Sequence, residues 1–300
     1  GVAALICLVA ASGDAAQNRH ARPAETDETV PASRGMRLAL ENAAGSVEIH
    51  AWDSDAVRIQ ARHASRTKVL IRTGENAVTI TASASGGPAG SVDYDITAPS
   101  WMAMRIEGQY DDVTIEGTRG DVSVETVRGD ITIRGGSSSV TAKTIEGQVV
   151  VEGARGKVDV SSVNEGITIT GAGGEISAET TNGSIRLARI DATSVDVATI
   201  NGDVTFDGTL SDNGRYSFNS HNGDIVLTVP ETSNATFNVR TYNGEFSTTL
   251  ALKGPDPSGV RRGKRVSYTL GSGGADVDLE SFGGEISVRR AGSQKTGRRQ

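Results

Sequence analysis

The chain contains an uninterrupted run of nine-residue units between residues 109 and 189. Every unit has Val or Ile at its fifth position and an apolar residue at its seventh, beginning with Val113 and Ile115. Positions four, six and eight are mostly polar, and position three is usually Gly. Apolar residues with a period of two are typical of a strand with one buried face, and Gly favours a tight turn. Each unit is therefore predicted to be one short strand and one turn.

A second period is superimposed on the first, because the ninth position alternates between Gly and Thr or Ser. Gly117 and Gly135 alternate with Thr126 and Thr144, so the full repeat has 18 residues. That is too short for two parallel strands and a crossover helix. A meander of hairpins would also have two kinds of turn, but stacked coils explain why the same turn residue recurs at every eighteenth position. We predict an all-β, right-handed parallel β-helix (β-solenoid) with two strands and about 18–21 residues per coil.

The composition fits a narrow solenoid and limits the possible partners. Aromatic residues make up 4% of the 300 residues, whereas Gly occurs 37 times, as expected for a lumen that admits Val and Ile but few rings. The net charge of −7 argues against nucleic-acid binding. Because solenoids grow by adding coils, a single domain can account for this length.

Four segments are predicted along the chain. Residues 1–16 look like the apolar core and cleavage region of a signal peptide, in a run too short to span a bilayer. Residues 17–35 are polar, contain Pro and lack periodicity, which predicts a disordered linker. Residues 36–290 are the predicted solenoid domain, and 291–300 a basic flexible tail. The leader predicts an extracytoplasmic location, in the periplasm, at the cell surface or secreted.

Several motifs resemble the bacterial putative-adhesin family of β-strand repeat domains of unknown function. They are VEIHAWDSDAVRIQA (47–61), VDYDITAPSWMAMRIEGQYDDVTIEG (92–117), repeated T-x-N-G-[DES]-[IVF] units and GSGGADVDLESFGGEISVRR (271–290). The resemblance covers roughly residues 36–290. It implies a secreted or surface-attached β-solenoid and brings no catalytic residues. The chain is also similar to the "toastrack" domains of bacterial envelope-stress proteins, which implies a role as an assembly platform.

Three columns of polar residues recur at the turn that keeps its length throughout. Thr or Ser forms one column, Asn the second, and both are expected to stabilise the stacked turns, with Asn side chains bonded to their copies. The third column holds carboxylates, and together with the Asn oxygens it has the ligand chemistry of a calcium site. However, the acid follows Gly directly, unlike in the calcium-binding nonapeptide. Solvated turn carboxylates are therefore the favoured interpretation, and no metal or other cofactor is predicted. The acidic residues are Asp203, Asp224, Glu245 and Glu285.

No catalytic motif is recognisable in the predicted domain. A carbohydrate-active β-helix enzyme, a polysaccharide lyase or hydrolase, is the alternative function, and it would cluster carboxylates with Arg or His on one face. Instead the outward columns mix charges, as in Glu116, Arg134 and Glu152, which predicts ion pairs between coils. His50, His63 and His221 lie outside any recognisable motif. We predict a non-enzymatic, adhesin-like or scaffold protein that binds at the bacterial cell envelope or surface.

The predicted binding site is the basic insertion at residues 251–272. All insertions after residue 189 occur in the same one of the two turns, so we expect them to lie along one edge of the solenoid. Insertions on one side of a solenoid commonly build the interaction surface. The largest one is also basic, which suits an envelope glycan, an anionic lipid surface or an envelope protein. The predicted ligand-binding residues are Lys253, Arg261, Arg262, Lys264 and Arg265.

Overall fold

The computed structural model describes residues 26–85, 87, 89–256 and 262–292, and every regular element within these ranges is a β-strand. The strands are β1 (Thr26–Pro31), β2 (Arg37–Trp52), β3 (Ala56–His63), β4 (Thr67–Thr73), β5 (Ala77–Ala84), β6 (Val92–Pro99), β7 (Ala103–Thr118), β8 (Val122–Glu125), β9 (Ile131–Gly135), β10 (Ser139–Lys143), β11 (Val149–Glu152), β12 (Lys157–Ser162), β13 (Ile167–Thr170), β14 (Gly173–Thr180), β15 (Ile185–Asn201), β16 (Val204–Asn222), β17 (Ile225–Val229), β18 (Ala235–Thr241), β19 (Phe246–Thr248), β20 (Val266–Leu270), β21 (Ala275–Ser281) and β22 (Ile286–Arg290).

Most strands pair in parallel with the equivalent strand of the next coil, which builds two stacks. The first stack contains β8, β10, β12 and β14, and the second contains β9, β11 and β13. Val122 faces Val140 and Val140 faces Val158, so the pairing advances by 18 residues in each of these coils. The long strands β2, β7, β15 and β16 pass through a turn and contribute to both stacks. The predicted all-β solenoid is confirmed.

The two stacks share one hydrophobic core. The residues at positions five and seven of every unit point inward, and Ile131 and Ile133, for example, are fully buried. The wider C-terminal coils bury aromatic rings, and Phe206 packs edge-on against Phe218 with 5.3 Å between the ring centroids. Tyr216 is also inside, and its hydroxyl donates to the carbonyl oxygen of Ala192 at 2.7 Å. Larger coils therefore have room for the rings that the narrow coils exclude.

The short turns between the first and the second stack lie along one side of the molecule, here called the regular edge. Its Thr and Ser hydroxyls are buried, and most of them donate to carbonyl oxygens of the preceding coil, as Ser162 does to Gly147 at 3.0 Å and Thr199 to Gly183 at 3.0 Å. The glycine at position three permits close stacking, because a Cβ at Gly202 would lie 2.1 Å from the carbonyl oxygen of Gly183. The hydroxyl column thus stabilises the turns, as predicted.

The coils do not stack in chain order at either end. At the N-terminal end, β2 lies between the coil of β5 and β6 and the coil formed by β7. At the C-terminal end, β21 and β22 lie between the coil that ends in β17 and the coil of β18 and β19. Chain order implied the opposite, with β18 and β19 stacked directly on β16 and β17. In each terminal region, a coil near the chain terminus is therefore enclosed by two others.

Antiparallel strands cover the outer coils at both ends. β4 pairs antiparallel with β5, β3 with β6, and β1 with β3, while β20 covers β18. β1 falls within residues 17–35, for which we expected a disordered linker, so residues 26–31 correct that expectation. The sequence pattern did not predict this strand because Val30 is its one buried residue and most of its other residues are polar. Residues 17–25 lie outside the described residues.

One buried carboxyl group joins the enclosed N-terminal coil to its neighbours. The Asn42 amide nitrogen donates to the Val92 carbonyl oxygen at 3.0 Å and to Asp111 Oδ1 at 2.6 Å, so it reaches the coils on both sides. The Asp111 side chain is fully buried, and its Oδ2 accepts from the Gln109 backbone amide at 3.2 Å. Burial raises the pKa of Asp111, because the charged form loses its hydration, although the hydrogen bonds from Asn42 and Gln109 oppose this.

A pH dependence of stability follows from this raised pKa. The folded state binds the Asp111 proton more tightly than the unfolded chain, whose pKa is about 3.9. The contribution of Asp111 is therefore fully present below that value and is lost as the pH rises through the folded pKa. We expect the stability difference between the wild type and Asp111→Asn to shift against the wild type between pH 4 and pH 7, as measured by urea denaturation. A difference that is constant with pH would contradict the raised pKa.

Candidate functional site

The structure separates the residues of the predicted basic site. Lys253 is paired through its backbone with Thr269, near the end of β20, where both hydrogen bonds are 2.8 Å long. Arg262, Lys264 and Arg265 are exposed and precede the start of β20. Thr269, the partner of Lys253, is four positions from Arg265, a distance of about 13 Å along a strand. Arg261 lies outside the described residues.

The basic part of the insertion lies on the regular edge, which corrects the expectation that all insertions share the other edge. The Gly263 amide donates to the Thr241 carbonyl oxygen at 2.8 Å, and Arg240 Nε donates to the Gly263 carbonyl oxygen at 3.3 Å. The reason is β20, which runs antiparallel to β18 and must begin where β18 ends. β20 therefore starts beside the regular edge.

The acidic column lies on the same edge, but two of its carboxylates bond to the backbone of the next coil. Asp203 Oδ1 accepts from the Asp224 backbone amide at 2.9 Å, and Asp224 Oδ1 accepts from the Glu285 amide at 2.8 Å. The order is therefore Asp203, Asp224, Glu285, Glu245, because the coil of β21 and β22 is inserted before that of β18 and β19. Each of these two aspartates caps the turn of the next coil, which supports the interpretation as turn carboxylates.

The Asn column forms the predicted ladder over four coils. Asn182 Nδ2 donates to Asn164 Oδ1 at 3.1 Å, Asn201 to Asn182 at 2.8 Å, and Asn222 to Asn201 at 2.9 Å. The next coil in the stack has Gly283 at this position, so the ladder ends there and does not continue to Asn243. These contacts make the regular edge a rigid surface with a repeat of about 4.8 Å.

A line of exposed apolar side chains runs along the regular edge beside this ladder. Five of the seven exposed large apolar side chains in the described residues share the first position of their unit, and each is between 39% and 49% exposed. The carbonyl groups at this position accept amides of the next coil, as Val127 does from Glu146 at 2.9 Å, so the backbone beneath the line is fixed. We call this line the ridge; in stacking order it comprises Val127, Ile145, Val163, Thr181, Ile200, His221, Phe282 and Tyr242.

The C-terminal end of the ridge is a stack of rings. His221 stacks on Phe282 with 4.7 Å between the ring centroids and 7° between the planes, and Tyr242 follows at 5.3 Å. The Arg240 guanidinium lies 4.9 Å from the centre of the Tyr242 ring. The rings therefore cover one another's faces and expose their edges.

A shallow trough accompanies the ridge on the side of the first stack. Its walls are ridge residues such as Ile145, Val163 and Ile200, and its floor is formed by outward residues of the first stack. Near the ring stack the trough is lined by Asn219, Glu280 and Phe282. The floor residues are Glu125, Lys143, Ser161, Glu179, Ala198, Asn219 and Glu280.

The outward face of the second stack carries the predicted ion pairs instead. Arg134 contacts Glu116 in one neighbouring coil and Glu152 in the other, and all three side chains are exposed. His50 lies 3.4 Å from Glu116, His63 bonds to Thr26 at 2.9 Å, and His221 belongs to the ring stack. The three histidines thus lie in three separate surroundings. Within the described part of the chain, we find no helix of the length and apolarity that a membrane span requires.

Sequence reasoning missed the ridge, although a signal was present. Position one precedes the Gly turn, where polar residues are usual, yet it holds apolar or aromatic residues in most units. Because a strand alternates with a period of two, an apolar residue just outside the strand reads as part of the same inward set. The turn at the regular edge rotates the side chain outward, whereas the first-position residues Ala154 and Ala172 at the other turn are buried.

One family model agrees with this architecture. The model of the Toastrack DUF4097 family matches residues 36–289. Among curated proteins no match was found. A putative adhesin from Bacteroides fragilis NCTC 9343 is 12% identical, with coverage of 89% of this chain and 98% of that chain and a TM-score of 0.43. A putative adhesin from Parabacteroides distasonis ATCC 8503 is 11% identical, with coverage of 88% and 96% and a TM-score of 0.40. The family match spans most of the solenoid, and the chain belongs to the Toastrack DUF4097 family.

Proposed function

We propose that this protein is an exported, non-enzymatic, adhesin-like or scaffold module that binds an anionic component of the bacterial cell envelope. The observation that carries the proposal is the group of exposed cations at Arg262, Lys264 and Arg265 on a chain with a net charge of −7. A local positive group on an acidic protein attracts anionic partners. The net negative charge of the rest of the protein repels the same partners from other parts of its surface.

The cations belong to a segment whose backbone is held in place by hydrogen bonds. Hydrogen bonds of Gly263 hold their segment against β18, and Arg265 is 3.3 Å from Asp278. Arg262 and Lys264 extend from the same segment with exposed side chains. Phosphate and carboxylate groups are the ligands that such cations bind. Phospholipid head groups present phosphate groups, and acidic envelope glycans present phosphate or carboxylate groups. Binding experiments with each ligand class distinguish the two.

The test compares two variants with the same loss of charge. Arg262→Ser with Lys264→Ser removes cations of the proposed site, whereas Arg186→Ser with Arg215→Ser removes exposed cations from the two sheet faces. Binding to isolated envelopes is measured by sedimentation at 50 and 300 mM salt. We expect a loss of at least fivefold for the first variant and little change for the second. Binding of the wild type should weaken with salt, because exposed charges are screened within about 8–10 Å.

Two further arms identify the ligand. Vesicles containing an anionic phospholipid and lipid-free envelope polysaccharide are offered separately to the wild type. Retention on one of them names the source of the anionic groups. If both double variants bind envelopes as the wild type does, the basic segment is not the binding site.

A further inference from the structure

We propose that the open edge of β4, at the N-terminal end of the solenoid, binds an extended strand of another protein that carries carboxylates on its outward face. β4 pairs with β5 on one side, and no other described strand pairs with it. An unpaired edge presents a row of N–H and C=O groups, which another extended polypeptide can pair with. This inference is independent of the proposed envelope binding, which depends on cations at the C-terminal end.

The backbone groups of three residues in β4 point away from β5. Residues of an antiparallel ladder alternate between bonding to the partner strand and facing away from it. The Gly74 amide donates to the Ala77 carbonyl oxygen at 2.9 Å where the two strands are joined, so the even-numbered residues of β4 bond to β5. The N–H and C=O groups of Val69, Ile71 and Thr73 therefore face the open edge.

The solenoid is one strand short at this edge. Beyond β2, the second stack continues with β6, β3 and β1, whereas the first stack continues only with β5 and β4. β1 therefore extends one strand, or about 4.8 Å, beyond β4. Val69 and Ile71 face the core, because they pair with Ala82 and with the buried Ile80, yet both remain partly exposed. A strand added to β4 would fill the step and cover both side chains.

The other three outermost strands of the described part of the chain are protected against such pairing. β1 contains Pro31, which lacks an N–H group, and Glu28, which shares a face with the buried Ile59. β19 has only three residues, and β20 is bridged to Lys253 at Thr269. Prolines, inward charges and short edge strands all oppose edge-to-edge association. β4 has seven residues, no proline and no inward charge, so its edge can accept a strand.

The outward side chains of β4 specify the charge of the partner. Lys68 and Arg72 are exposed on the outward face, on either side of the exposed Leu70. Their cross-strand neighbours in β5 are Ser83 and Thr79, which are uncharged. In a strand paired with β4, the residues opposite the two cations are four positions apart. Carboxylates at these two positions would be favourable cross-strand partners.

A second copy of this chain fits the edge less well. In a symmetric antiparallel pairing of two β4 strands about Leu70, Lys68 of each copy would lie opposite Arg72 of the other, and like charges in this position are destabilising. Pairing of β4 with β1 of a second copy would place Glu28 beside the core, where an unpaired charge is costly. The occupant is therefore a strand of a different protein.

Fluorescence anisotropy with the full chain and two labelled peptides tests the proposal. TEVTVET alternates inward and outward residues, has two glutamates four positions apart and reads the same in both directions. TKVTVKT is the matched control, with lysine in place of glutamate. We expect the wild type to bind TEVTVET at least tenfold more tightly than TKVTVKT. Lys68→Glu with Arg72→Glu should reverse this preference, because the cross-strand charges are exchanged.

Two further variants separate the edge from the rest of the surface. Lys157→Glu with Arg215→Glu reverses the same charges on the outward face of the first stack and should leave the preference unchanged. Ile71→Pro removes one N–H group from the open edge but no bond to β5, so it should weaken binding of TEVTVET at least fivefold while the chain stays folded. Equal binding of the two peptides by the wild type, or no reversal in the Lys68 and Arg72 variant, would overturn the proposal.

Hydrogen exchange locates the bound peptide. Exchange of the Val69 and Ile71 amides should slow at least tenfold, whereas the Leu70 amide, which already bonds to β5, should change much less. No slowing at Val69 and Ile71 would mean that the peptide binds elsewhere and that the proposal is wrong.

The other occupants have their own readouts. A dimer in sedimentation velocity that Ile71→Pro dissociates would identify a second copy as the occupant. At least tenfold tighter binding of TEVTVET by a chain that begins at residue 26 would identify residues 1–25 as the occupant. Either result would overturn the assignment of this edge to a different protein.

Discussion

Deleting residues 274–300 will unfold β18 and β19, although both strands precede the deletion. β18 pairs with β20 and β21, and β19 pairs with β22, so removal of β21 and β22 detaches this coil from the rest of the solenoid. The deletion also removes the buried side chains of Val277, Leu279, Ile286 and Val288. Each contributes roughly 1.5–3 kcal/mol by burial, so we expect the melting temperature to fall by more than about 10 °C.

Hydrogen exchange locates the effect of this deletion. Amides of residues 235–248 should exchange as in an unfolded chain, while those of the central coils at 122–170 keep their protection. Removing residues 291–300 alone leaves all strands in place and is the matched control. Persistent protection at 235–248 in the longer deletion would contradict the observed order of the coils.

A large effect is also expected from truncating one inward side chain of a central coil. Ile131 is fully buried between the two stacks, and Ile131→Ala should lower the free energy of unfolding by roughly 2–5 kcal/mol. The surrounding coils are fixed by their ladders, so the cavity cannot collapse fully. Thr132→Ala, in the same strand with its side chain outward, should cost less than about 0.5 kcal/mol. Urea denaturation of both variants measures the difference, and equal losses would mean that the inward positions are wrongly assigned.

The repeating part of the fold could be read directly from the sequence. Positions five and seven are buried throughout residues 109–189, and the hydroxyl and Asn columns make the contacts between coils that their recurrence predicted. This succeeds because each coil repeats the same local chemistry. A residue such as Ile131 meets the same kind of neighbours in any coil.

The order of the terminal coils could not be read in the same way. Residues 275–290 carry the same pattern as residues 235–248, so the pattern does not say which of the two coils stacks on β16 and β17. The choice depends on β20, which pairs with the outer side of β18 and leaves only the inner side free for β21. The pattern of inward and outward positions does not show which of the two edges of a strand is paired with a neighbouring strand.

The basic site was mispositioned for the same reason. The insertion at 251–272 begins at the turn where the other insertions lie, and sequence alone suggested that it stays there. Its second half instead pairs with β18 and brings Arg262 and Lys264 to the regular edge, beside the ring stack. The candidate basic segment and the ridge are therefore neighbours.

The enclosed C-terminal coil has a consequence for the time course of biosynthesis. As the chain is made, β18 and β19 are complete before the coil that must join them to the solenoid exists. Until then β18 can pair with β20 alone, and an isolated hairpin is at best marginally stable in water. The C-terminal coils therefore cannot finish folding until Arg290 has left the ribosome. Such a delay would suit the export proposed above, because a chain must be unfolded to pass through a narrow translocation pore.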